Sequence, residues 1–261
     1  MIYTKIKYHL KYVLKEFFYI FKFSFIRKEF FMISLSLSIK FLLDAGIKNL
    51  ISKREYSIER KKYEEIKKRN LNYNNDWFSN NITTWVKIFN KEKIEHYNLN
   101  ILEIGSYEGL SAVFFLNYFK NCKLTCVETF EGSDEHSKIN FEKVEENFNH
   151  NLEPYKDRFF LSKGTSNLFF ENKNKVNSEL FDIIYIDGSH HHDDVLSDAQ
   201  NSYNHIKQGG IIIFDDFLKR YYKKKDHDPI TAILKFIKKN KNDIDVMNVN
   251  YQIIIKKNNK L

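Results

Sequence analysis

Two apolar runs in the second half of the chain end in acids. Residues 181–187 (Phe-Asp-Ile-Ile-Tyr-Ile-Asp) continue into Gly188-Ser189-His190-His191-His192, and residues 211–214 lead into Asp215-Asp216. Each run has the length and apolar character of a buried strand, and a helix pattern from Val195 to Ile206 separates them. As neighbouring parallel strands they would bring Asp187, His190, Asp215 and Asp216 to one sheet edge. Three carboxylates in one crevice repel one another unless a cation or a proton compensates. Hard oxygen donors suit Mg²⁺ or Mn²⁺ better than Zn²⁺. Such a cation lowers the pKa of a bound hydroxyl, and His190, three residues past Asp187, is placed to remove the proton. The structural alternative is that strand-end acids cap neighbouring helices, as Asp193 and Asp194 could for the helix that follows.

A second stretch, residues 99–111, must supply the other half of such a site. It reads as a short strand (Ile101, Leu102, Ile104), a turn with Gly105 and Gly109, and a helix through Ala112, Val113, Phe114 and Leu116. A strand that ends in glycines and opens a helix offers backbone N–H groups and a positive dipole end beside a crevice at the sheet's carboxyl edge. Gly105 can take angles forbidden to a side chain, and Gly109 lets helix and ligand approach. This is the first βα unit of a Rossmann-like fold. A dinucleotide fingerprint puts its second glycine where this chain has Tyr107, which argues against NAD or FAD. Residues 123–128 form the next strand and end in Glu128, 19 residues past Gly109. There a βαβ crossover sets a carboxylate beside the ribose hydroxyls of a nucleoside.

The pattern Glu103-Ile104-Gly105-x-x-x-Gly109 resembles motif I of the class I S-adenosylmethionine (SAM)-dependent methyltransferases. The resemblance runs from about Trp77 to Lys256. With Asp-Gly-x-His at 187–190, Asp198 on the next helix, Gly209-Gly210 and the acids at 215–216, it is closest to the metal-dependent macrocin-type O-methyltransferases. That likeness implies SAM and Mg²⁺ as cofactors and a sugar, glycan or related small-molecule hydroxyl as acceptor. It makes Asp187, Asp215 and Asp216 metal ligands and His190 the general base. The implied cofactor contacts are Glu103, Gly105, Ser106, Tyr107, Gly109, Ser111, Glu128, Thr165, Ser166 and Asp187. Thr165 and Ser166 serve equally well as a helix cap. One departure is His192, where the family pattern has an aromatic residue, so His191 and His192 stay open as base or ligand.

Composition narrows the rest. With 43% hydrophobic and 29% charged residues the chain is globular. Cys122 and Cys126 lack metal-ligand spacing and read as buried structural thiols in a reducing compartment. Residues 1–70 carry 17 Lys+Arg against 7 Asp+Glu, while the remainder carries 25 against 27. The catalytic part is therefore near neutral and does not point to nucleic acid.

The basic charge belongs to an extension, residues 1–75, ahead of a domain spanning 76–261. Residues 1–23 have helical spacing, with Tyr3, Ile6, Leu10, Val13, Leu14, Phe17, Ile20 and Phe21 on one face and Lys11, Lys15 and Lys22 opposite. Such a face can lie on an anionic membrane, dock on the catalytic domain, or meet a second copy of the chain. Lysines interrupt the apolar stretch, so a signal peptide is not expected. Residues 30–43 are too short to span a membrane, which takes ~20 residues. Their alternation leaves helix and strand both open. A charged helix is expected within 52–70, and the expected location is cytoplasmic, with membrane contact at the inner face through residues 1–50.

Further along, residues 77–90 read as a helix, 130–133 as a loop flanking the pocket, 137–148 as a helix and 158–162 as the third strand. Residues 207–210 read as a turn, and the basic stretch 219–225 as a rim of the acceptor site. A helix over 229–239 and a hairpin around Asn250 close the chain. The expected architecture is α/β: a Rossmann-like, doubly wound seven-stranded sheet with its last strand antiparallel, behind a mostly helical extension. The rival readings are a metal-independent methyltransferase, and a membrane- or RNA-associated binding protein that kept the fold without the chemistry.

Overall fold

The computed structural model describes residues 2–48, 57–94, 97–132, 139–174, 179–220 and 227–259. Seven strands form one sheet in the order β3-β2-β1-β4-β5-β7-β6. They are β1 (Asn100–Ile104), β2 (Lys123–Glu128), β3 (Phe159–Lys163), β4 (Phe181–Ile186), β5 (Ile206–Phe214), β6 (Ile244–Val249) and β7 (Ile253–Lys257). The first five run parallel, and β7 inserts antiparallel between β5 and β6. This is the Rossmann-like sheet with the antiparallel end expected from the sequence.

Register sets the site. Ile104 pairs with Val127 and with Ile186, and Ile186 pairs with Phe214. The residues one step further on, Gly105, Glu128, Asp187 and Asp215, therefore leave the sheet level with one another at its carboxyl edge.

The strands are apolar on both faces because both faces are covered. Leu102, Ile104, Ile184, Ile186, Ile212 and Phe214 enter one core, while Ile101, Ile183, Tyr185, Ile211 and Ile213 enter the other. The second core takes Trp85 and Phe89 of α4 (Ile82–Glu92), Phe114 and Phe115 of α5 (Leu110–Tyr118) and Phe148 of α6 (Phe141–Leu152). The first takes Val195 and Ala199 of α8 (His192–His205) and most of α9 (Pro229–Asn240). The first core also takes Phe170 of α7 (Ser166–Asn174), which is capped by Thr165, whose hydroxyl accepts from Leu168 N at 3.3 Å.

The N-terminal helices join the first core. In α1 (Ile2–Ile26) and α2 (Phe31–Phe41), Val13, Ile20, Phe23, Leu37 and Phe41 are buried with the strand residues above. Residues 30–43 resolve as helix because Ser34, Leu37, Ser38 and Phe41 are buried at helical spacing. The buried row of α1 differs from the expected face: it is Val13, Glu16, Tyr19, Ile20 and Phe23, while Leu10 and Leu14 are exposed. Glu16 can lie inside because Arg220 pairs with it, and Tyr19 OH donates to Asp228 at 3.4 Å. The charged α3 (Ser57–Asn70) is anchored too, with Tyr63 buried and donating to Leu110 O at 2.7 Å, and with Lys67 bridged to Asp76.

Two local expectations shift. The turn at 207–210 is the opening of β5, where the pairing with β4 slips between Phe181 and Ile183 and Gly209 takes φ +76°. The helix expected from about 137 begins at Phe141, its start fixed by Asn140, whose side chain accepts from Lys143 N. Residue 133 of the pocket loop, residues 137–138, the start of the 52–70 helix and residues 221–225 of the basic loop lie outside the described residues.

Gly105 is the tightest point of this architecture. Its φ is +81°, and a Cβ there would lie 2.1 Å from the carbonyl oxygen of Asp187. Gly105→Ala is therefore expected to destabilise the fold by about 2 kcal/mol or more. Urea unfolding measures it, and an unchanged midpoint would contradict the close approach of the two strand ends.

Candidate functional site

The β4 and β5 ends deliver their acids to one cluster. Tyr185 is fully buried, and its OH reaches both Asp187 Oδ2 at 2.7 Å and Asp215 Oδ2 at 2.5 Å. Burial, reinforced by the charges of Asp215 and Asp216, pushes the Asp187 carboxyl well above the usual range. Burial and then Asp216 raise Asp215 to about 6. Burial acts on Asp216 in the same direction, but the hydrogen bond and charge of His190, with Lys219, outweigh it and hold Asp216 below the usual range. His190 Nε2 contacts Asp216 Oδ2 directly, and Lys219 Nζ lies 3.1 Å from the same oxygen and 3.3 Å from His190 Nδ1.

Asp187, His190 and Asp216 each offer a donor atom, and these atoms lie within 4.8 Å of one another. Two carboxylate oxygens and an imidazole nitrogen fit a divalent cation that takes oxygen and nitrogen ligands. The set differs from the expected Asp187, Asp215 and Asp216. Asp215 turns away because its Oδ1 accepts from Asp216 N at 2.8 Å and its Oδ2 faces Tyr185. His190 stands in that cluster in place of Asp215. The other two histidines lie at the start of α8, His191 as the residue preceding it and His192 with Nδ1 2.8 Å from Asp193.

The loop after β1 completes the crevice. Glu128 Oε2 accepts from Ser106 N and Tyr107 N, both at 2.8 Å, and Oε1 accepts from Phe130 N at 3.0 Å. The strand-end carboxylate and the glycine loop thus meet as the sequence suggested. Tyr107, Phe130 and Asp216 all hold positive φ (+49°, +55°, +53°), so three of the four non-glycine residues with such backbone among the described residues lie on this rim. Clustered strain of this kind marks a site whose geometry the surroundings enforce.

Two expected contacts act from beneath the loop. Glu103 is fully buried and accepts from Ser106 Oγ at 2.7 Å and from Ser111 Oγ, so it holds the loop and presents no oxygen to the crevice. Burial raises its carboxyl to about 7 against the pull of the two serines. At Gly109 a Cβ would lie 2.5 Å from Leu152 and 3.2 Å from Phe148, so the glycine admits the close packing of α6. Thr165 is exposed and engaged as the cap of α7, while Ser166 bonds the buried Asp198.

Lys219 belongs to the basic stretch expected to rim the acceptor site, but sequence reasoning passed over Tyr185, Tyr251, which bonds Asp216, and Gln252, which bonds Asp215. Tyr185 was findable, since it lies two residues before Asp187 and so on the same side of β4. The other two come from the turn that leads into β7, where no pattern announces a contact. A roomier cavity of about 640 Å³ lies at the opposite edge of the sheet, lined by Asn100, Lys123, Arg158 and Phe181, away from all these acids.

Residues 102–217, which hold both halves of the crevice, match the family model for a methyltransferase domain. Over those residues the chain is similar to a methyltransferase domain. Comparison with curated proteins returns no match. Among solved structures, the O-methyltransferase from Bacillus cereus in complex with SAH is similar at TM-score 0.53 and 14% identity, over 85% of this chain and 100% of that one. TomG from Streptomyces achromogenes, solved with SAM, gives 0.51 and 13% over 83% and 96%. MycE from the mycinamycin pathway, solved with Mg and SAH, gives 0.53 and 15% over 79% and 55%. The fold of the methyltransferase domain is thus that of SAM-dependent O-methyltransferases. No helix among the described residues is long and apolar enough to cross a membrane.

Asp198 gives the domain a measurable pH response. It is 2% exposed, its Oδ1 has no hydrogen-bond partner, and burial raises its carboxyl to about 6. The protonated form is the one the fold prefers. Its stability contribution is therefore complete below pH 4 and lost as pH rises through 6, on the order of 2 kcal/mol. Asp198→Asn is expected to flatten that part of the stability–pH curve, and parallel curves for the two proteins would contradict the assignment.

Proposed function

We propose that the domain transfers a methyl group from SAM to a hydroxyl of a sugar, glycan or related small molecule, assisted by Mg²⁺. One observation carries the reading: the Asp187–His190–Asp216 donor set lies at the same strand edge as the 105–109 loop and Glu128, with Gly105 against the Asp187 backbone. When bound, SAM supplies an electrophilic methyl group and the cation supplies positive charge beside the acceptor oxygen. The chain's own residues do the rest. Glu128, at the mouth of the loop, receives the ribose hydroxyls, and Gly105, Ser106 and Tyr107 form the wall beside it.

Asp187 and Asp216 hold the cation, with Asp215 behind them fixing Tyr185 and the turn. In this reading His190 serves as the base and not as a ligand, with Asp216 Oδ2 against its Nε2 to stabilise the imidazolium that forms. Lys219, beside His190, stands at the site from the segment after β5, which favours an acceptor bearing a phosphate or carboxylate. MycE is solved with Mg, SAH and mycinamycin VI, which supports a metal and a small-molecule acceptor for this fold. Residues 76–261 are the catalytic part, and residues 1–75 the extension.

Transfer of labelled methyl from SAM to a panel of saccharides tests the reading. Turnover is expected to require Mg²⁺ and to stop on chelation. His190→Ala should lower it by about 10²- to 10⁴-fold, Asp216→Asn should abolish it, and Asp215→Asn should cost less. Turnover that survives both chelation and Asp216→Asn would favour metal-independent transfer instead.

A further inference from the structure

Ten of the eighteen large apolar side chains that are exposed among the described residues lie between Tyr8 and Leu43. Scattered exposed apolar residues are ordinary, but a band of them is not. On α1 the band is Leu10, Leu14, Phe18 and Phe25, with Phe21 between them against Phe25 at 5.1 Å. On α2 and the π-helical segment that continues it (Leu42–Lys48), Met32, Ile39 and Leu43 are exposed at near-helical spacing. These are not the residues that hold the helices in place. Val13, Ile20, Phe23, Leu37 and Phe41 do that from the opposite faces, with Glu16 paired to Arg220 and Glu29 to Lys238. The helices are thus fixed to the domain with an apolar face turned outward.

Charge decides what covers it. Residues 7–48 hold eight Lys and Arg against three acids. All three acids are committed: Glu16 to Arg220, Glu29 to Lys238, and Asp44 to Lys40 at 3.2 Å. Lys7, Lys11, Lys15 and Lys22 are exposed and flank the apolar band on α1. A two-fold contact between copies brings the same patch together, so lysine would meet lysine with no carboxylate to relieve it. Aliphatic side chains such as Leu10, Leu14, Met32 and Ile39 gain nothing from a nucleic-acid backbone. An aromatic and aliphatic stripe edged by lysines, on helices that do not span, matches the interface of an anionic bilayer.

We propose that the outward face of α1 and α2 is a docking surface for an anionic lipid membrane. The apolar stripe enters the headgroup boundary, and the flanking lysines meet lipid phosphates.

Flotation of the full-length chain with vesicles of phosphatidylcholine, with and without phosphatidylglycerol, tests this. The protein is expected to float with the anionic vesicles, to bind neutral ones at least about tenfold more weakly, and to be released by high salt. Leu14→Asp/Phe18→Asp/Phe25→Asp changes only exposed positions, so its unfolding midpoint should hold while flotation is lost. No binding of the wild-type chain to anionic vesicles would overturn the proposal. So would a lipid-free dimer in sedimentation velocity that the triple variant converts to monomer, which would assign the face to a second copy.

Discussion

Negative charge crowded at the carboxyl ends of β4 and β5 is the constraint on which the site depends. Asp187, Asp215 and Asp216 leave adjacent strands within a single crevice, and the chain meets their repulsion in several ways at once. Tyr185 shares its hydroxyl between two of them. His190 and Lys219 both turn to the third. Asp216 accepts a left-handed backbone, a cost on the order of 1 kcal/mol, in order to face them. Such an arrangement is expensive for a helix cap and suited to a cation and a proton acceptor side by side. The reading as a binding protein that merely kept the fold gives no reason for that expense.

The other half of the crevice depends on distance rather than charge. β1 and β4 end so close together that only a glycine fits at 105, and this contact sets the 105–109 loop beside the acids. Glu103 then holds the loop from below through Ser106 and Ser111, while Glu128 collects its N–H groups from above. The same register that aligns Ile104, Val127, Ile186 and Phe214 thus brings cofactor side and acid side to one row.

Much of this was legible in the sequence. The strand-end acids, the glycine turn and Glu128 were readable because parallel strands with helical crossovers deliver their ends to one edge, so position along the chain already implies position in space. What escaped was side-chain direction. Whether Asp215 or His190 completes the donor set is decided by a single backbone turn at Asp216, and whether Glu103 points into the crevice or under it depends on two serine hydroxyls. The face of α1 divides for a related reason. Leu10 and Leu14 share a helical face with Val13 and Ile20 in sequence, yet the core side takes Glu16 in their place, because Arg220, more than two hundred residues away, pairs with it. No local pattern carries that information.

The most direct test is calorimetric titration of SAM into the full-length protein with Mg²⁺ present, repeated with Glu128→Ala. The crevice described above predicts saturable binding at one site, weakened about tenfold or more when the ribose-facing carboxylate is removed. A folded chain that takes up no SAM, or that binds it equally well without Glu128, would contradict the account.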